Sequence, residues 1–158
     1  MANTMRYRYG ETNPVSAPVA SADVIEIGDL VGIDTTAKPV EDTDWWSTNE
    51  AGTQEAFHDA FLGVAMQASA SGETEDIRVA TSGVFEFDCT SDTHAFGQLL
   101  GPHDVGATGT NLGSQAVEDV ATANLAIGRV AKINAAASTT VYVDIRSTLY
   151  MGGPQELV

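Results

Sequence analysis

Cysteine and lysine are nearly missing from this chain. Its 158 residues include one cysteine, Cys89, so no disulfide can form within the chain and no cluster of thiolates can hold a metal. Lysine occurs only as Lys38 and Lys132. Lys and Arg together number 7 against 22 Asp and Glu, a formal net charge of −15. Such a surface repels phosphate backbones and anionic lipid, which argues against nucleic acid and membrane as partners. Long apolar runs are lacking too. None approaches the ~20 residues needed to span a bilayer, and "MANTMRYRYGE" has no signal-like apolar stretch. These absences describe a protein made and folded in the cytosol. The length suits one domain that can bury a core without staples.

Catalytic signatures are missing as well. His58, His94 and His103 match no zinc-ligand spacing, and Cys89 stands alone. Ser69, Ser71 and Ser82 lie outside any Gly-x-Ser-x-Gly elbow, and no glycine cluster carries the lysine of a phosphate loop. Glu41, Asp42 and Asp44 lack the loop and terminal glutamate of an EF-hand calcium site. The sequence therefore predicts no enzyme, no cofactor and no metal, with His58 facing solvent or an interface.

What the chain does contain, it contains twice. Gly28-Asp29-Leu30-Val31-Gly32 matches Gly97-Gln98-Leu99-Leu100-Gly101 position for position. After each comes an excursion and then a short strand with an early glycine, "LGVAMQ" at Gly63 and "IGRVAKI" at Gly128. Small polar links follow, "ASASGETED" and "NAAASTT", and then "IRVATSGVFEF" and "VYVDIRSTLY", with β-branched and aromatic residues at period two. Ile77, Val79 and Thr81 are expected on one face, as are Val141, Val143 and Ile145. Each half thus reads as a strand, an excursion and a hairpin, which is the vocabulary of a barrel or sandwich.

Only one segment has clear helical spacing. Thr53, Ala56, Phe57, Ala60 and Phe61 predict a short helix over Gly52 to Ala60, capped by Ser47 or Thr48. Any helical turn in "AVEDVATANLAIG" is short, and the glycine-rich "GATGTNLGSQAVEDV" reads as an exposed loop. The organisation expected is an N-terminal arm over 1–10, a single β-domain over 11–150 with an acidic insertion at about 41–56, and a tail over 151–158.

Aromatic residues at the margins are the candidate contact groups. "MRYRYG" alternates Arg6 and Arg8 with Tyr7 and Tyr9, a pattern suited to an extended arm that adds a strand to a neighbour. Trp45 and Trp46 are adjacent in the acidic insertion, so on an extended chain at least one ring contacts something outside its own core.

The pattern "GDLVGID … AFLGVAMQASASGETEDIRVATSGVFEF … FGQLLGP … AIGRVAKI … TVYVDIR", spanning about Tyr9 to Arg146, resembles the small capsid cement, or decoration, proteins of tailed bacteriophages. That resemblance implies a compact, mainly β, β-tulip-like barrel domain without catalysis. It implies a place on the outer surface of a virion, the major capsid protein as partner, and a homotrimer. The acidic Trp45-Trp46 insertion departs from the shortest members of that family. Two other classes remain open: a receptor- or glycan-binding module of a phage fibre or cell-surface adhesin, and a metal-binding barrel enzyme using His58, His94 and His103.

Overall fold

A computed structural model describes residues 5–156. The architecture is mainly β, as the sequence pattern predicts. A short edge strand, β1 (Tyr7–Tyr9), precedes two five-stranded units of the same topology. The first holds β2 (Val15–Ala17), β3 (Leu30–Ile33), β4 (Ala37–Pro39), β5 (Phe61–Ala65) and β6 (Ile77–Ala80), in the order β2-β6-β5-β3-β4. The second holds β7 (Ser82–His94), β8 (Leu99–Asp104), β9 (Leu112–Asp119), β10 (Gly128–Val130) and β11 (Asn134–Arg146), in the order β7-β11-β10-β8-β9. A parallel pairing of β7 with β9, at Asp88 and Ala116, closes the second unit into a barrel. In the first, a single parallel bridge between Val19 and Ala37 brings the sheet ends together.

The duplication extends to register. Leu30 pairs with Val64 and Val31 with Gly63, just as Leu99 pairs with Arg129 and Leu100 with Gly128. Ala65 faces Val79 as Val130 faces Val143, and Val31 faces Pro39 as Leu100 faces Asp119. A 3₁₀ turn follows β4 at Thr43–Trp45, and another follows β9 at Ala123–Leu125. The glycines at 28 and 97 both take positive φ, +97° and +77°, so each chain reversal into β3 or β8 uses backbone that glycine enters without strain. The residue after each glycine closes that turn with its side chain. Asp29 Oδ2 accepts from the Glu26 N–H at 2.9 Å, and Gln98 Oε1 accepts from the Ala95 N–H at 3.1 Å.

The two copies differ in where they are interrupted. The first carries helix α1 (Glu50–Ala60) between its 3₁₀ turn and β5; the second carries its extra residues between β8 and β9. The cap of α1 is Asn49, whose side chain accepts from Gly52 N–H, rather than Ser47 or Thr48. A single-turn helix, α2 (Thr148–Met151), follows β11. The stretch read as an exposed loop is exposed only in part. Its later residues form β9, buried from Leu112 to Val117, because β8 on one side and β7 on the other enclose it.

Apolar side chains cover both faces of the first sheet. Ala17, Val31, Ala37, Ala65, Ile77 and Val79 form one small-residue cluster. Leu30, Trp45, Phe57, Phe61, Val64 and Ala80 turn the other way and join Phe85, Phe87, Leu100, Val141 and Val143 in a larger one. This is why β5 is buried at every position and its pattern is not alternating. Thr81 alone separates β6 from β7, so the two units share a core without a linker.

Candidate functional site

The residues singled out at the N-terminus lie on an edge of the molecule. Strand β1 pairs antiparallel with β7, Tyr7 opposite Phe85 and Tyr9 opposite Val84. The strand expected to reach a neighbour is therefore added to this chain's own sheet. Complementary charge fixes it there. Arg6 bonds to Asp88 at 2.9 Å and Glu86 at 3.4 Å, and Arg8 approaches Glu86 at 3.2 Å. The Arg8 guanidinium also lies 5.4 Å from the Tyr142 ring centroid. Tyr7 packs edge-on to Phe85 at 5.6 Å and donates its hydroxyl to the Gly10 carbonyl at 2.6 Å. Both guanidinium groups thus spend their charge inside the chain, while Tyr7 and Tyr9 remain 41% and 52% exposed. Residues 1–4 of the expected arm lie outside the described residues.

The tryptophan pair divides. Trp45 is 5% exposed, meets Phe57 edge-on at 5.7 Å and donates Nε1–H to the Pro39 carbonyl at 2.9 Å. Its ring belongs to the chain's own core and is not a contact group. Trp46, half of whose surface is open to solvent, is the residue turned outward.

Helix α1 behaves unlike the sequence expectation for His58. The buried face is Thr53, Gln54, Phe57 and His58, so three polar side chains point inward. Each bonds to the second unit. Thr53 Oγ1 donates to the Gly109 carbonyl at 2.7 Å, Gln54 Nε2 to the Pro102 carbonyl at 2.8 Å, and His58 Nδ1–H to the Ala126 carbonyl at 2.7 Å. A helix inserted in the first unit is therefore pinned to the second by polar bonds. The carbonyl acceptor fixes His58 as the Nδ1–H tautomer and makes it a structural residue.

The other histidines sit among acids. His94 is buried at the end of the second barrel, in the register position that Ile25 holds in the first, with Nε2 3.9 Å from Asp119. Together with Cys89, Asp92 and Glu118 it lines a cavity of about 210 Å³. Burial, with Asp119, Asp92 and Asp88 nearby, pushes the Cys89 thiol up, so the thiolate that nucleophilic chemistry needs is suppressed there. His103 belongs to a second group. Its Nδ1 lies 2.8 Å from Glu118 Oε2, Gln54 Nε2 donates to Glu118 Oε1 at 2.7 Å, and the Asp104 N–H donates to Glu50 Oε1 at 3.2 Å.

Glu50 is the most perturbed acid of this group. A hydrogen bond shared with Glu118, then burial, raises its pKa to about 7. Because the folded value lies above the unfolded one, this group's stabilisation is complete below pH 4.5 and is lost as pH rises to about 7. Glu50→Gln keeps the shared hydrogen bond at every pH. In chelator-treated buffer, its thermal midpoint should match the unaltered chain near the acid end of that window and exceed it above the alkaline end; an equal difference at both would contradict the assignment.

No family model matches this chain, and no curated protein matches it. Among the described residues no helix is long and apolar enough to cross a membrane.

Proposed function

We propose that the chain is a structural protein of a virion, a non-catalytic cement protein bound to the outer surface of a tailed-phage capsid through the major capsid protein. The observation that carries this reading is the N-terminal edge. Tyr7 and Tyr9 stand exposed on β1, and ion pairs to Glu86 and Asp88 hold that strand on β7. Tyrosines fixed on a strand are preorganised for burial against a partner. Support also comes from the resemblance, whose telling pieces, Gly28 to Val31, Phe61 to Ala65 and Ile77 to Phe85, are frame residues of the repeated unit. Assembly as a homotrimer is part of the same proposal, and repeated weak contacts over one shell give avidity without a tight single site. Mass spectrometry of gradient-purified virions from cells carrying this sequence should find the chain in fixed ratio to the major capsid protein. Particles that lack it would overturn the reading.

The energetic ranking at the edge can be measured on such particles. A buried aromatic contributes about 1.5–3 kcal/mol, whereas an exposed ion pair contributes about 0–1 kcal/mol and is screened by salt. Arg8 is moreover already paired with Glu86. Tyr7→Ala should weaken attachment more than Arg8→Ala, and high salt should release little protein. Full release at moderate salt with Tyr7→Ala still bound would reverse the ranking.

A further inference from the structure

We infer that Glu50, His103 and Glu118 form a binding site for one divalent transition-metal cation of the zinc class, joining α1 to the second barrel. The sequence shows no ligand spacing for it, because the three residues come from the start of α1, from β8 and from β9. Folding brings one ligand atom of each to within 4.8 Å of the others. Zinc bonds to imidazole nitrogen and carboxylate oxygen at ~2.0–2.2 Å, which puts ligand atoms about 3.4 Å apart around a tetrahedral ion. Small rotations of three half-buried side chains close that difference. The mixture of one imidazole with two carboxylates is a donor set for zinc or a neighbouring transition metal and is poor in oxygens for calcium.

The surroundings hold these ligands in place independently of any charge argument. Gln54 is 3% exposed and bridges the Pro102 carbonyl and Glu118 Oε1 through the same amide nitrogen. The Asp104 backbone N–H bonds to Glu50 Oε1. His103 Nδ1 already points at Glu118 Oε2, at 2.8 Å, so a cation that enters there replaces a hydrogen bond with two ligand bonds. Partners behind a ligand set its orientation, and their loss costs about 10–100-fold in metal affinity. The role assigned is structural. The ion bonds the inserted helix of the first unit to two strands of the second, beside the polar bonds of Thr53, Gln54 and His58, and this assignment stands apart from the capsid reading.

The test uses the full chain after chelator treatment and zinc chloride as the probe. Calorimetry should show one saturable equivalent of Zn²⁺, with a rise in thermal midpoint. Glu118→Gln and His103→Ala should each weaken binding by about tenfold or more, and Gln54→Ala by about tenfold. Should a variant misfold, side-chain NMR of the unaltered chain decides: one equivalent of zinc should shift the His103 ring signals and leave those of His58 and His94 in place. No saturable binding overturns the site, and so does binding that moves the His94 signals instead.

Discussion

Gly63→Ala should remove a large share of the chain's stability, although it adds one methyl group. A Cβ at this position would overlap the carbonyl of Ala80, coming within 2.7 Å of its carbon, and would stand 3.1 Å from Val79 Cγ1. Both neighbours belong to β6, and β5 is buried on both faces, so the strands cannot part without opening two cores. Overpacking usually costs about 1–3 kcal/mol. Here the obstruction is backbone, which places the cost in the exceptional range of about 4 kcal/mol or more, against a net stability of roughly 5–15 kcal/mol for a domain. The repeat supplies an internal comparison. Gly128 occupies the matching place, where an added methyl would lie 3.0 Å from the Asp144 carbonyl carbon and 2.7 Å from Val143 Cγ1, so Gly128→Ala should be as damaging. Gly97→Ala should differ, since nothing lies within 4 Å and the only penalty is the left-handed backbone, about 1–2 kcal/mol. Urea midpoints of the three variants check the order, and a mild Gly63→Ala would mean that the strands are not held at this spacing.

The tryptophan pair gives the second large effect. Trp45→Ala removes a ring that packs on Phe57 and one of the two donors of the buried Pro39 carbonyl, which keeps the Asp42 N–H at 3.0 Å. Loss of such a ring costs about 3–5 kcal/mol. Gly32 tightens the case. Its backbone lies so near that an added methyl would be 2.9 Å from the Trp45 ring and 3.0 Å from Phe57, so the ring fills its space. Trp46→Ala should change stability by less than about 0.5 kcal/mol. Unfolding followed by circular dichroism separates the two, and comparable losses would show that Trp46 is also a core group.

The difference between these neighbours indicates what the sequence can and cannot disclose. The strands are legible because glycine, apolar pair and glycine recur in both halves, and that recurrence reflects one register formed twice. Strand β9 is hidden because Gly113, Ser114 and Gln115 carry no alternating apolar signal; pairing on both sides buries them instead. The docking of β1 is hidden for another reason. Its counter-charges, Glu86 and Asp88, stand far along the chain, and alternation of Arg with Tyr does not say whose sheet the strand will join. Trp45 lies among acids in the sequence, yet its ring turns inward while Asp42 caps the 3₁₀ turn from outside. The Glu50, His103 and Glu118 group has no local motif at all, being made by the insertion that sets one copy of the repeat apart from the other.

That insertion also leaves part of the first unit waiting for the second on the ribosome. Every pairing of the first sheet lies between Val15 and Ala80, so the nascent chain can complete it before β7 emerges, in keeping with units that fold from the N-terminus during synthesis. Helix α1 is translated within that stretch, but the carbonyls of Pro102, Gly109 and Ala126 that receive Gln54, Thr53 and His58 are translated later. Thr53, Gln54 and His58 therefore stay hydrated until the second unit is made. Inward-facing glutamine and histidine suit that interval better than leucine would, because they leave Phe57 as the one apolar side chain among the buried residues of the helix.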